Sequence, residues 1–452
     1  MKRVIIFFAY LFFTHCVYSQ QALTLEGCRN LAIQNNKELQ ISKAKIHVAD
    51  YEKKAALTHY FPELSATGAY MRNQKDLLLF DLSGLGSIGD LFGTVMPDFK
   101  DLGHLDIQNI WVGGVSLVQP VFMGGKIVNY NHIAKYAKEL AESKNDMKLQ
   151  EIIYYTDKTY WQVISLVNKK KLTETYIQLL RKMDNDISEM INEGVATKAD
   201  GLSVKVKLNE AEVADMKVSN GLALSRMMLA QLCGLPLETP VVLADEQIDN
   251  FPVKETNVYA DISEAFANRQ ELRSLGLAEK IYKKKEHIVF ADMLPTIGLM
   301  ANYLVTNPNS FHGFKNDFGG MFNVGVLVKV PISGWWGGTY KRNSAKAETL
   351  ITRLELEEAR EKIELDVNQS VYKANEAQKR LTASGRNMES AEENLRHANT
   401  GFEEGVIPAL NLMEAQTAWV SARSELIDAQ IEVKLTNVYL SKALGKLPVP
   451  EH

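Results

Sequence analysis

Apolar residues recur along this chain at two spacings, one typical of helices and one typical of strands. Between residues 126 and 192 there is no Gly or Pro, and apolar side chains recur at three- and four-residue steps. A continuous helix there would extend roughly 100 Å at about 1.5 Å per residue, and the spacing is typical of a coiled-coil seam. The seam residues are Leu172, Tyr176, Leu179, Met183, Ile187 and Met190. Gly194 then predicts a turn, so the pattern indicates a long helical hairpin over 126–233.

Strict alternation of apolar and polar positions marks four shorter segments, which we predict to be strands. They lie at about 63–72, 110–121, 296–305 and 321–332. In the last of them Phe322, Val324 and Val326 share one face, and Asn323 and Lys329 occupy the other. This alternation fits a barrel wall with lipid outside and water inside. An ordinary half-buried sheet alternates in the same way, so the strands alone leave both interpretations open.

The chain contains two copies of one unit. Asn-Lys-Glu-Leu at 36–39 parallels Arg-Gln-Glu-Leu at 269–272, an offset of 233 residues. Three further landmark pairs keep an offset of 211: Pro120 and Pro331, Gly194 and Gly405, and Gly234 and Gly445. Chance does not keep three landmarks in register over 114 residues, so each copy is predicted to hold the same elements. These are a first helix (about 25–60 and 259–292), two strands and a long hairpin, with Trp111 and Phe322 at equivalent positions.

The N-terminus is predicted to be a signal peptide over residues 1–19. Lys2 and Arg3 are basic, and the apolar run that follows is too short to span a bilayer. A membrane anchor and lipidation at Cys16 are the alternatives, and His15 stands where lipidation expects a small residue. The rest of the chain divides into a first repeat at 20–234, a linker at 235–257, a second repeat at 258–446 with its hairpin at 339–444, and a tail at 447–452.

Composition and motifs exclude several functions. The 452-residue chain is 46% hydrophobic and 23% charged with a formal net charge of −4, so its charge does not favour nucleic acid. Residues 84–89 match G-x-G-x-x-G, but Gly93 and Pro97 follow where a dinucleotide site needs a helix. The nine histidines are scattered without metal-ligand spacing, so neither an enzyme nor a cofactor is predicted. The sequence leaves the pairing of Cys28 and Cys233 open.

The repeat landmarks resemble those of the TolC family of outer-membrane efflux proteins over essentially the whole mature chain. The most specific motifs are Thr24-Leu25-Glu26 with Leu31-Ala32 and Asn35-Asn36, Gln119-Pro120 with Gly124-Gly125, Glu193-Gly194-Val195 and Glu404-Gly405-Val406. The resemblance implies a mainly α fold with a small β-barrel contribution. Each chain of a homotrimer would give four strands to a 12-stranded barrel on an α-helical tunnel. It also implies a passive channel in the outer membrane of a Gram-negative bacterium, with the tunnel in the periplasm. The channel would export small molecules together with a periplasmic adaptor (membrane fusion) protein and an inner-membrane pump of RND or ABC type.

The resemblance also assigns two classes of site residue. The adaptor-docking hairpin tips match Gly194, Val195, Ala196, Gly405, Val406 and Ile407. The periplasmic entrance, or gate, matches Asp200, Asn411 and Glu414, where three copies of Glu414 would favour cations. Asn411 departs from the acid that some members have, and Asp200 is expected to bond across to a neighbouring tip. An equally good interpretation is that Asp200 and Glu414 are solvated residues of a first helical turn, where the helix dipole favours acidic side chains.

Two alternative functions stay open from the sequence. One is the outer-membrane duct of a type I protein secretion system, and the other is a periplasmic coiled-coil structural protein without a barrel. The tunnel sequence does not separate protein cargo from small-molecule cargo, because the pump does most of the selection.

Overall fold

The computed structural model describes residues 22–75, 77–78, 104–105, 107–246, 258–313 and 315–448. The predicted signal peptide, Cys16 and the glycine motif at 84–89 lie outside these residues, as do parts of the predicted linker and tail. Within the described residues the chain is mainly helical and carries a four-stranded sheet, in agreement with the coarse fold class expected from the sequence.

Eight helices and six strands form the described part of the chain. The first half contains α1 (Leu25–Asn35), α2 (Lys37–Thr58), β1 (Glu63–Arg72), β2 (Leu77–Leu78), β3 (His104–Leu105), β4 (Asn109–Phe122), α3 (Lys126–Asn192) and α4 (Lys198–Leu232). The second half contains α5 (Ile262–Asn268), α6 (Gln270–Ala291), β5 (Thr296–Asn307), β6 (Gly319–Lys329), α7 (Gly334–Glu403) and α8 (Ala409–Ala443). No helix among the described residues is both long and apolar enough to cross a membrane.

The chain divides into two compact units. The helical unit comprises Met1–Ile46, Ala141–Ser274 and Leu356–His452, and the strand unit comprises His47–Leu140 and Leu275–Glu355. The strand unit contains the antiparallel sheet in the order β1-β4-β5-β6, in which β1 and β6 are the edges. The helical unit contains most of the buried apolar clusters, where the two hairpins and α1 pack together.

The strand pairing repeats with the two sequence offsets. In the first pair Tyr70 lies opposite Trp111, and their ring centroids are 4.5 Å apart. In the β5–β6 pair Tyr303 lies opposite Phe322. Tyr303 is 233 residues after Tyr70 and Phe322 is 211 after Trp111, so the two strand pairs share one register. Trp111 and Phe322 therefore occupy equivalent positions in the sheet.

The first helix of each copy is interrupted, which the sequence pattern did not predict. α1 and α2 are separated at Asn36, and α5 and α6 at Arg269, again 233 residues apart. Asn36 Nδ2 donates to the carbonyl of Leu232 at 3.1 Å, and an Arg269 guanidinium nitrogen donates to the carbonyl of Ala443 at 3.4 Å. Leu232 and Ala443 end α4 and α8, whose last carbonyls have no partner within their own helices. Each interruption thus provides a donor for the end of the returning helix.

Two predicted boundaries in the second copy differ from the structure. The strand expected at 321–332 lies at Gly319–Lys329, because Pro331 has no backbone N–H for a sheet. α7 begins at Gly334 instead of 339 and includes Gly338. A Cβ added to Gly338 would lie 2.7 Å from Met293 Sδ, so the helix passes close to the segment that precedes β5.

The buried seam of α3 differs in part from the predicted one. Leu172, Met183 and Ile187 are buried as expected, but Ile177 and Leu180 are buried where Tyr176 and Leu179 were predicted. Ile177 and Leu180 pack with Ala211 of α4. The Tyr176 hydroxyl lies 3.2 Å from that of Thr417 on α8, so α3 contacts two helices and its buried face is wider than a single seam.

Candidate functional site: the hairpin turns

The first hairpin reverses at Gly194. The N–H of Val195 donates to the carbonyl of Met190 at 2.8 Å, and the N–H of Gly194 donates to that of Ile191 at 3.1 Å. These two bonds form a Schellman motif, which satisfies carbonyls at the end of α3. The motif needs a residue with positive φ, and Gly194 has φ of +75°.

The second hairpin uses the same turn 211 residues later. Val406 donates to Gly401 at 2.7 Å, Gly405 donates to Phe402 at 3.0 Å, and Gly405 has φ of +72°. The residues after the two glycines, Val195 and Val406, are 71% and 75% exposed. Each predicted docking tip therefore presents an apolar side chain to solvent, while Ala196 and Ile407, the last residues of the two tips, are half-buried.

The helix after the first turn begins with a capping box formed by Thr197 and Asp200. The Asp200 N–H donates to Thr197 Oγ1 at 3.2 Å, and the Thr197 N–H donates to Asp200 Oδ2 at 2.9 Å. The Thr197 hydroxyl also donates to Asp200 Oδ2 at 2.6 Å. Donation from the hydroxyl, and then from the backbone N–H, lowers the pKa of Asp200 below its ordinary value. Asp200 therefore bonds to Thr197 of its own chain, in the first turn of α4.

The second hairpin lacks this capping box. Pro408 stands where Thr197 stands in the first copy, and no side-chain hydrogen bond caps α8. Asn411, the equivalent of Asp200, donates its backbone N–H to the Pro408 carbonyl at 3.1 Å. Asn411 and Glu414 are both exposed, and among the described residues no hydrogen bond or ion pair joins Glu414 to another side chain. The two turns thus share a backbone motif and differ in their polar groups.

A buried apolar cluster brings the two turns together. Ile187 and Val204 of the first hairpin pack with Leu412 and Met413 of the second, and Ile407 lies against the same cluster. Both sets of predicted tip residues and all three predicted entrance residues consequently lie at one end of the helical unit. Thr197 was not among the predicted site residues, although Thr-x-x-Asp at a helix start is a recognisable capping signal.

Comparison with known proteins identifies the family. The family model described as outer membrane efflux protein matches residues 28–235 and 262–446, which is well over half of the chain. The chain belongs to this family. It is therefore an outer-membrane protein of the efflux-channel class, and both the TolC-family resemblance and the outer-membrane location are confirmed. Members of the family are channels and not enzymes.

Individual relatives are distant in sequence. Outer membrane protein TolC of Vibrio cholerae serotype O1 is 20% identical over 342 residues, which cover 74% of this chain and 76% of that protein. Outer membrane protein TolC of Escherichia coli K12 is 20% identical over 321 residues, covering 66% of this chain and 64% of the relative.

Solved structures of outer-membrane proteins share the fold across nearly the whole chain. The outer-membrane channel OprN has a TM-score of 0.76 at 16% identity, covering 93% of this chain and 89% of its own. The outer membrane protein VceC of Vibrio cholerae has a TM-score of 0.73 at 15% identity, covering 93% and 96%. At these identities the likeness establishes the fold, while the roles of individual residues depend on the geometry described above.

Proposed function

We propose that the protein is the outer-membrane channel of a tripartite efflux system and that it acts as a homotrimer. The observation that carries the proposal is the open sheet of the strand unit. β1 and β6 are its two edges, and every residue of β1 and nearly every residue of β6 is exposed. Exposed strand edges are normally covered or paired. Three copies would pair each β1 with a neighbouring β6 and close a barrel of 12 strands.

The alternation along β6 supports a lipid-facing outer surface for that barrel. Phe322, Val324 and Val326 share one face and are 65%, 68% and 63% exposed. On the opposite face Asn302 Nδ2 donates to Asn323 Oδ1 at 3.0 Å. Apolar residues toward lipid and amides toward the lumen are the pattern of a membrane barrel.

The proposed domain organisation follows the two repeats. A signal peptide at 1–19 directs export, a linker at 235–257 joins the repeats at 20–234 and 258–446, and the hairpins form the periplasmic tunnel. The periplasmic adaptor docks on the turns through the exposed Val195 and Val406. Transport through the channel is passive, because the inner-membrane pump supplies the energy.

The entrance of the tunnel lies at the hairpin turns in this proposal. Three copies of the exposed Glu414 would surround the axis and favour cations over anions. Asn411 is neutral, so this preference is weaker than that of an entrance with two acidic rings. Asp200 holds the first turn through Thr197 and has lone pairs left to accept a bond from a neighbouring chain.

Two arginine substitutions on adjacent residues of β6 test the barrel. Val324→Arg places a charge on the lipid face, which costs about 2–4 kcal/mol near the bilayer centre, and we expect few heat-modifiable trimers in the outer-membrane fraction. Asn323→Arg is the matched control, because its side chain faces the lumen, and we expect trimers that conduct in planar bilayers. Equal tolerance of both substitutions, or an elongated soluble protein in the periplasm, would contradict the proposal.

The cargo is tested in a strain that lacks the protein. We expect increased sensitivity to small toxic compounds and unchanged amounts of secreted proteins in the medium. Loss of one secreted protein with unchanged sensitivity would instead indicate a type I secretion duct.

A further inference from the structure

Basic residues are concentrated in the helical segments of the strand unit. Segments 47–58, 126–140, 275–292 and 334–355 contain 13 Lys and Arg against 8 Asp and Glu, a formal charge of +5 with histidines neutral. The whole chain has a formal charge of −4. The part of the protein that adjoins the strands is therefore opposite in charge to the rest, and it attracts anions.

A groove of about 500 Å³ lies within this basic region, between α3, α6 and α7. Ile288 and Ala345 line it and are only 9% and 7% exposed, so they give it an apolar floor. Tyr130, Lys285 and Lys341 lie at its exposed rim. An apolar floor under two cationic groups suits a ligand that carries both an anionic and a hydrocarbon part.

The two lysines of the rim have no carboxylate partner in the described part of the chain. Neighbouring lysines do have one: Lys126 Nζ lies 2.6 Å from Asp292, and Lys138 Nζ lies 2.7 Å from Asp50. Lys285 instead lies over the ring of Tyr282, 4.5 Å from its centroid. Lys285 and Lys341 are therefore free to contact an external anion.

Glu348 and Ser344 also line the groove. Glu348 is seven residues after Lys341 on α7, which corresponds to about 10 Å along the helix. A phosphate near the lysines is consequently separated from this carboxylate. Glu348 and Ser344 can accept hydrogen bonds from the hydroxyls of a headgroup that extends along α7.

The groove lies near the helix ends that lead to the strands. Lys341 follows the start of α7 by seven residues, and Lys285 precedes the end of α6 by six, which places both about 10 Å along their helices from the ends that lead to the sheet. The headgroup layer of a bilayer leaflet is roughly 5–7 Å thick and begins where the hydrocarbon core ends. The backbones of the two lysines therefore lie just beyond this layer, and their long side chains can extend back toward its phosphates.

Exposed aromatic side chains accompany the groove. Trp336 is 81% exposed and Tyr340 is 78% exposed, and they are four residues apart on α7. Side chains with this spacing share one face of a helix. Trp and Tyr are enriched at membrane–water interfaces, where their rings meet the headgroups, so this face of α7 matches the level expected for the lipid surface.

We propose that the groove binds an anionic glycerophospholipid of the phosphatidylglycerol type from the periplasmic leaflet of the outer membrane. The phosphate lies between Lys285 and Lys341, and the glycerol backbone and first methylenes lie against Ile288 and Ala345. This inference rests on the proposed function, since it places the sheet in the membrane and the helices below it. The bound lipid links the channel to the inner surface of the outer membrane.

Native mass spectrometry of the full-length protein in detergent tests the site. We expect retained phosphatidylglycerol at concentrations where phosphatidylethanolamine is not retained. The double substitution Lys285→Gln/Lys341→Gln should weaken phosphatidylglycerol binding tenfold or more, because two charge contacts with the phosphate are lost. The matched control Lys283→Gln/Lys346→Gln removes the same charge from the same helices outside the groove, and its binding should stay within about twofold.

Three results would overturn the inference: equal retention of phosphatidylethanolamine, an equal loss in the control, or displacement of the lipid by inorganic phosphate at the same concentration. The last result would assign the groove to free phosphate. Conductance of the same preparation in planar bilayers separates this inference from the proposed function. A conducting trimer without a phosphatidylglycerol preference overturns the lipid site alone, and a preparation with neither trimers nor conductance overturns both.

Discussion

The Thr197 side chain stabilises the first turn of α4 through the capping box that it forms with Asp200. Thr197→Ala removes the hydroxyl that accepts from the Asp200 N–H at 3.2 Å and donates to the Asp200 carboxylate at 2.6 Å. The bond from the residue 197 N–H to Asp200, 2.9 Å in the native turn, can persist. We therefore expect the first turn of α4 to fray while the Gly194 turn itself is retained.

The magnitude follows from the loss of a helix N-cap. Replacing a capping Thr by Ala costs about 0.5–2 kcal/mol, which corresponds to about a 2- to 30-fold increase in the opening equilibrium of that turn. Pro408→Ala is the matched control, because Pro408 occupies the equivalent position and makes no side-chain capping bond. Protection at the start of α8 should therefore be unchanged in this variant.

Hydrogen exchange measured by mass spectrometry reports on both turns in the same sample. Amides of residues 198–203 should lose protection in Thr197→Ala, and those of 409–414 should be unchanged in Pro408→Ala. Under the proposed entrance role, Thr197→Ala channels should also conduct more than Pro408→Ala channels in planar bilayers. Equal protection in Thr197→Ala and the native protein would refute the argument, and so would equal changes in the two variants.

The same capping box predicts a dependence on pH. Hydrogen bonds from Thr197 lower the pKa of Asp200 in the folded chain, whereas an unfolded Asp titrates near a pKa of about 3.9. A lowered pKa means that the stabilisation is present above the unfolded value and is lost as the pH falls through the folded one. Protection of 198–203 should thus decrease below about pH 4, and Asp200→Ala should abolish this decrease.

Two further predictions concern what holds the helical unit together. Arg29→Met leaves the Asp157 carboxylate, which is 0% exposed, without its partner at 2.5 Å. This loss should cost about 3–5 kcal/mol and reduce the hydrogen-exchange protection of α1 at least about 100-fold. The control Arg181→Met removes a solvent-exposed ion pair and should change the protection less than about fivefold. Gly234→Ala should lower the midpoint of thermal unfolding, because φ is +68° and the new Cβ would lie 2.4 Å from a side-chain atom of α1. The control Gly276→Ala should not lower it, because a Cβ added there has no atom within 4 Å.

The sequence by itself determined the kinds of element and their order. The three- and four-residue apolar spacing in α3 and the alternation in the strands are patterns within a few neighbouring residues. The turns at Gly194 and Gly405 belong to the same class, because a left-handed residue after a helix favours glycine whatever lies around it. The two offsets, 233 and 211, also fixed which residues of the two copies are equivalent.

Tertiary structure decided which side chains meet across long separations. The interruption at Asn36 depends on a carbonyl at Leu232, 196 residues away, and the buried pair of Arg29 with Asp157 spans 128 residues. A helical pattern has a range of about four residues, so neither contact leaves a local signal. The groove beside Lys285 likewise exists only because three helices pack side by side. The local spacing of residues therefore determined the helices and strands, and tertiary packing determined which charged and polar groups become partners.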